Sequence, residues 1–247
     1  MTAVAVSAAT TLEAAVLAAL DTVVDPELDE PITDLGFVRS IAIDDHGVTV
    51  HLRLPTSFCS PNFAYLMASD ALDALRLVED VRTVRVMLDD HHDSDKINAG
   101  LAADAGYRGT FGVEAEESLE DLRLIFQRKA HLAAMERCIE TQLKTTSLAV
   151  SDIYRLRLRN LPAGRAKESL LRRRAALGLG IGLDEPVFVD EHGTPFPVDE
   201  VPMRLRFAKS VRISIDGNGH FCRGLLATRY EDGESLATHI TNTRSTS

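Results

Sequence analysis

Cysteine is scarce in this chain, and what there is lies scattered. Cys59, Cys138 and Cys222 are an odd number at wide spacing with no Cys-x-x-Cys pair among them. That argues against a disulfide framework and against a self-contained zinc or cluster cage. No apolar run approaches the roughly 20 residues that cross a bilayer. The opening Met-Thr-Ala-Val-Ala-Val-Ser-Ala-Ala lacks the basic stretch of a secretory signal, so a cytoplasmic protein without membrane partners is expected. Catalytic constellations are missing as well: there is no Ser-His-Asp order, no carboxylate pair that demands an acid and a base, and no dinucleotide fingerprint. Gly178-Leu-Gly-Ile-Gly182 is not followed by the Lys-Ser/Thr of a phosphate loop. A protein without enzymatic turnover is the expectation.

Positive charge is scarce in one half only. Residues 1–110 hold 7 Lys/Arg against 18 Asp/Glu, whereas residues 111–247 hold 20 against 19. An acidic half is a poor nucleic-acid binder, because neutralising phosphates takes clustered cations. The one basic stretch, residues 151–180, carries eight Lys/Arg including Arg155, Arg165 and Arg172. It has no interleaved aromatics for base stacking. A solvated face, or a surface for an acidic protein partner, suits it better than nucleic acid.

What is present centres on Leu54-Pro-Thr-Ser-Phe-Cys59-Ser-Pro-Asn62. Val48, Val50, Leu52 and Leu54 alternate with Thr49, His51 and Arg53, the period of a half-buried strand. After Pro61, Phe63, Leu66, Met67, Ala71, Ala74, Leu75 and Val78 take helical spacing. Cys59 then stands at a strand-to-helix turn, where a helix N-terminus favours a thiolate, a nucleophile or a metal ligand. A buried apolar role is the plainer reading for a cysteine.

Leu12, Val16, Ala19, Leu20 and Val23 predict a helix over 10–24, stopped by Asp25-Pro26. The acidic loop Asp25 to Gly36 follows, then a hairpin from Phe37 to Leu54 turning at Asp44–Gly47. A third strand, Val81 to Leu88, ends in Asp89-Asp-His91-His92-Asp93. If it runs parallel to the Val48 strand across the second helix, the crossover brings both strand ends to one edge and His91 and His92 toward Cys59. Cys59 with Asp25, Glu27, His91 and His92 would make a mixed sulfur, nitrogen and oxygen set for ferrous iron or zinc. Read by themselves, Asp25 and Asp34 also suit loop bracing, and the two histidines suit plain surface positions.

Farther on, Val113 to Ser147 reads as one long helix that holds His131 and Cys138 on a similar face. Val187–Val189 and Phe196–Val198 look like short strands. Val211, Ile213 and Ile215, the turn Asp216-Gly-Asn-Gly219 and a return over His220–Thr228 predict a hairpin that sets His220 and Cys222 on one strand face. The expected class is α/β, of the α+β kind. It comprises a small α-β-β-α-β-α domain over 1–110, a helical connector over 111–150, a smaller α+β domain with a β-hairpin over 151–230, and a disordered tail over 231–247.

Asp25-Pro-Glu27-Leu28, Asp34-Leu-Gly36, Thr56-x-x-Cys59 after a strand, the Val84-x-Val86 strand and a short helix from about Ser94 to Ala105 resemble, in order and spacing, the iron-sulfur cluster assembly domain family of the SufT and PaaD type. The resemblance spans residues 10–106 and leaves the C-terminal half unmatched. It implies functional positions at Asp25, Asp34, Thr56 and Cys59, with Glu27 in the same motif. It also implies an accessory role in metallocentre assembly, carrying iron or an iron-sulfur cluster to a client apo-metalloprotein, a non-haem iron oxygenase among the candidates. One protein thiolate cannot hold a four-iron cluster, which takes about four such ligands, so a homodimer or a borrowed thiol would be needed. Two departures stand out: Pro55 and Ser57-Phe58 replace the family's second threonine and Pro-Gly step, and His91-His92 replaces Pro-Pro with an aromatic. The competing expectation is a metal-free interaction module that holds a partner through residues 151–180.

Overall fold

The computed structural model describes residues 2–115, 119–146, 148–230 and 236–245. The elements in chain order are α1 (Thr2–Asp21), β1 (Val38–Ile43), β2 (Gly47–Leu52), α2 (Pro61–Arg76), β3 (Thr83–Leu88), α3 (Ser94–Ala102), α4 (Gly106–Phe111), α5 (Leu119–Thr145), α6 (Arg165–Ala176), α7 (Val201–Tyr230) and β4 (His239–Asn242). The fold is α+β. It divides into two compact units, Met1–Leu119 with Gly219–Ser247, and Glu120–Asn218.

In the first unit the sheet order is β3-β2-β1-β4. β1 and β2 form the expected antiparallel hairpin, with Ile41 opposite Val50. Its turn is closed by Asp44, whose Oδ1 accepts from the His46 and Gly47 N–H groups at 2.8 and 2.9 Å. Gly47 is needed there because a Cβ would stand 1.9 Å from the Thr83 carbonyl oxygen at the start of β3. β2 and β3 pair in parallel, Val48 with Val84 through Leu52 with Leu88, and α2 is the crossover between them. Val16 and Leu20 of α1, Ala68, Ala71 and Leu75 of α2, and Ile41, Ile43, Val48, Val50, Leu52, Val86 and Leu88 of the strands are buried in one core. The 2.0 and 3.6 periods seen in the sequence are the inward faces of these elements.

The C-terminal hairpin does not form. Residues 211–228 lie inside α7, a 30-residue helix, and three of its buried residues, Val201, Ala208 and Ile215, recur every seven positions, a helical repeat. Three alternating apolar residues and a Gly-Asn-Gly step imitate a hairpin, but Gly217 and Gly219 sit in the helix at a cost of about 1 kcal/mol each relative to alanine. His220 and Cys222 therefore do not share a face, since residues two apart on a helix point away from each other. Val187–Val189 and Phe196–Val198 are not strands either. Only isolated bridges form there, Arg157 with Pro186 and Val189 with Pro195. Pro186, Pro195 and Pro197 have no N–H to donate to a ladder. The tail also departs from disorder: β4 pairs in parallel with β1, Ser40 opposite His239 through Ile43 opposite Asn242. Residues 231–235 and 246–247 of that expected tail lie outside the described residues.

In the Glu120–Asn218 unit, Met135, Ile139, Leu158, Leu170, Val187 and Val201 are buried together. His131 and Cys138 are both buried; burial pushes the His131 imidazole down to about 4 and the Cys138 thiol up to about 11. The basic stretch is not a uniform outward face. Arg174 is 1% exposed and donates to the Gly180 and Pro186 carbonyls, and Arg159 pairs with Asp184. Arg165 and Arg172 are exposed.

Candidate functional site

β2 ends at Leu52, buried Leu54 and Pro55 carry the chain inward, and α2 begins with Pro61 in its first turn behind Ser60. Proline suits that place because its missing N–H would be unpaired in any case. Cys59 lies two residues before the helix, half-buried. Its Sγ is 3.4 Å from Thr56 Oγ1. The Phe58 N–H donates to that hydroxyl at 3.2 Å, which curls Thr56 to Phe58 into a hydroxyl-closed turn and leaves the Thr56 hydrogen available to the sulfur. Phe58 is 82% exposed beside it.

The parallel crossover brings the end of β3 to this loop, as the sequence implies. The Asp93 N–H donates to His91 Nδ1 at 3.1 Å, so Nε2 carries the hydrogen and donates to the Cys59 carbonyl at 2.8 Å. Both ring nitrogens of His91 are thereby engaged. The residue braces the cysteine backbone instead of offering a metal a lone pair. His92 is exposed, with its N–H donating to the Ser57 carbonyl at 2.9 Å and its ring 5.9 Å from that of Phe58. His91→Ala should lower stability by about 1–2 kcal/mol through the lost brace, read as a lower urea midpoint. An unchanged midpoint would show that His91 does not hold the loop.

The Asp25 loop is built by its own backbone. Asp25 Oδ1 accepts from the Glu27 and Leu28 N–H groups at 2.9 and 2.8 Å, and the Asp25 N–H donates to the Glu30 carbonyl. Asp25 is 7% exposed, and burial pushes its carboxyl up to about 6. Asp34 is exposed. The glycine of Asp-Leu-Gly adopts φ +74°, which strains any other residue, and a Cβ on it would lie 3.3 Å from Leu226 Cδ2 of α7.

Sequence reasoning missed the burial of Arg53 and set Cys222 beside His220 on a strand, not on a helix. Arg53, on the outward side of the strand pattern, is 1% exposed; it donates to the carbonyls of Gly36 and Leu236. Cys222 of α7 is half-buried and packs on the same core as Cys59. Burial pushes its thiol up to about 11, and the charges of Asp25, Cys59 and Glu27 push in the same direction. The sequence signal for Cys222 was the seven-residue repeat Val201, Ala208, Ile215, Cys222. The structure thus sets Thr56 against Cys59, turns Asp25 onto the backbone of its own loop, ties His91 into the scaffold, and leaves Asp34 and His92 exposed. Among the described residues no three His, Cys, Asp or Glu side chains are arranged to hold a metal ion.

Residues 13–86 match a family described as iron-sulfur cluster assembly protein. The matched span includes Asp25, Glu27, Asp34, Thr56 and Cys59 and stops short of His91, His92 and Cys222. An uncharacterized protein of Methanocaldococcus jannaschii is 36% identical over 87 residues, covering 35% of this chain and 90% of the relative. No solved structure matches.

Proposed function

The chain belongs to the iron-sulfur cluster assembly family, and on that premise we propose that it is an accessory protein that takes up iron or an iron-sulfur cluster as cargo at Cys59. It then passes the cargo to an apo-metalloprotein client, a non-haem iron oxygenase being one such client. The observation that carries this reading is the half-exposed Cys59 in a loop held by its backbone: His91 on its carbonyl, and Thr56 against its sulfur. A sulfur presented on a fixed loop but not enclosed by other ligands can exchange cargo, whereas a closed four-ligand cage retains it. A four-iron cluster takes about four thiolates, so the remaining ligands come from the client, from a small thiol or from a second copy of the chain. Exposed Phe58 beside the sulfur suits a protein client, because aromatic side chains anchor interfaces. The action is stoichiometric, without turnover, and a cytoplasmic setting fits it. Among the described residues no helix is long and apolar enough to cross a membrane.

The test is iron uptake by the anaerobically prepared full chain. Cys59→Ser should weaken ferrous iron binding by about tenfold or more, as loss of a ligand does. Equal iron content in both proteins would remove Cys59 from the role. The second reading is a metal-free interaction module that holds a partner through residues 151–180, where Arg165 and Arg172 are exposed. Absence of iron from both proteins, with client binding unchanged, would favour it.

A further inference from the structure

The last turns of α7 lie outside the matched family span, residues 13–86, yet they carry a side chain that joins the cysteine loop to the end of β3. Arg229 Nη1 donates to the Leu54 carbonyl at 3.0 Å, and Nη2 donates to Ser57 Oγ at 2.8 Å and to the Asp90 carbonyl. Leu54 and Ser57 bracket Thr56, whose hydroxyl meets the Cys59 sulfur. Asp90 stands at φ +54°, where the chain turns from β3 toward His91, and His91 holds the Cys59 carbonyl. The guanidinium lies 5.4 Å from the centre of the Tyr230 ring, and the Tyr230 hydroxyl donates to Asp90 Oδ2 at 3.4 Å. Arginine suits this place because one planar fork reaches acceptors on two loops at once, which the point charge of a lysine does not. The helix itself is anchored separately: Arg223 pairs with Glu30, and buried Leu226 meets Gly36.

We infer that Arg229 is the positioning residue of the Cys59 loop: it fixes the turn from Leu54 to Ser57 against the β3 end and so sets the direction in which Thr56 and Cys59 meet the cargo. His91 on the Cys59 carbonyl, and the His92 N–H on the Ser57 carbonyl at 2.9 Å, join the two loops near the cysteine. Arg229 adds the hold at Leu54, where β2 has ended, so the loop is fixed at both of its ends. It acts through carbonyl and hydroxyl groups and is not itself a ligand. The consequence for cargo rests on the role proposed for Cys59, and the experiment separates the two.

Iodoacetamide alkylation of the anaerobic full chain, followed at each cysteine by peptide mass, reads the loop without any metal. Arg229→Ala and Arg229→Lys should each speed alkylation of half-buried Cys59 by about tenfold, the factor that loss of a hydrogen bond from a charged donor gives to the opening of a loop. Cys222, on the separately anchored stretch of α7, and Cys138, buried in the other unit, should keep their rates. An unchanged rate at Cys59 overturns the inference, and so does an equal rise at Cys59 and Cys222, which a merely structural loss would give. Ser57→Ala removes one acceptor and should also speed Cys59; added to Arg229→Ala it should change little further, and full additivity would overturn the shared hold. Ser57→Ala and Arg229→Lys decide the matter where Arg229→Ala does not fold. Ferrous iron binding by the same proteins then tests the link to cargo, and Arg229→Lys should weaken it by about tenfold, as loss of a partner that orients a ligand does. Weakened binding in Cys59→Ser with unchanged binding in Arg229→Lys overturns the positioning role and leaves the Cys59 role standing. No iron on the unaltered protein, with a faster Cys59 in Arg229→Lys, overturns the cargo reading and leaves the hold on the loop standing.

Discussion

Replacing Arg212 with alanine is expected to cost the Glu120–Asn218 unit about 3–5 kcal/mol, the loss that follows when a buried ion pair keeps only one partner. Glu136 on α5 is 2% exposed, and the Arg212 side chain that reaches it from α7 is 15% exposed. Arg212 Nε donates to the Glu136 carboxylate, and its other nitrogens reach Asp216 Oδ2 at 3.0 Å and Glu140 Oε2 at 3.4 Å. Arg137 adds a bond to Asp216 at 2.8 Å. One guanidinium thus serves three carboxylates, and its removal strands Glu136 without water or a counter-charge. Pairing Arg212→Leu with Glu136→Leu should recover most of the loss, since apolar groups of similar volume can replace both members. Urea unfolding read by hydrogen exchange in α5 checks both steps. A single-variant loss under about 1 kcal/mol would assign the cluster to the weak surface class.

That same contact explains why α7 was not legible in the sequence. A helix through Gly217, Gly219 and Gly224 has little local support, and its helical state is sustained by partners such as Glu136, 76 positions away from Arg212. The first hundred residues were legible for the opposite reason. Alternation in Val48–Leu54, helical spacing after Pro61 and the Asp44–Gly47 turn are local signals, and the handedness of a parallel crossover then places His91 at Cys59. Chemistry was less legible than position. Nothing in the pair His91-His92 shows that the first ring donates to a carbonyl and accepts from the Asp93 N–H. β4 is four residues long and pairs with a strand about 200 positions earlier, so no neighbouring pattern announces it. Arg53 follows the strand pattern as an outward residue, yet Leu236 and Tyr230 from the end of the chain close over it.

Asp25→Asn should make the Met1–Leu119 and Gly219–Ser247 unit more stable by about 2–4 kcal/mol near neutral pH and leave it little changed below about pH 4. The Asp25 carboxyl is pushed up from an ordinary 3.8 to about 6, mainly by burial, against the pull of the Leu28 and Glu27 N–H groups. Between those two values the folded chain keeps a proton that the unfolded chain has released. Stability therefore falls as pH rises through that window, and the full cost of an ionised, buried carboxylate is present above about 6. Asparagine keeps the Oδ1 acceptor for both N–H groups and carries no charge to desolvate. Thermal unfolding of the two proteins from pH 4 to pH 8 reads the difference, and a flat difference would show that Asp25 does not titrate on folding. A bound dication supplies the missing counter-charge, so ferrous iron at pH 7 should stabilise the aspartate protein more than the asparagine variant. An equal effect on both would place the cargo beyond the reach of Asp25.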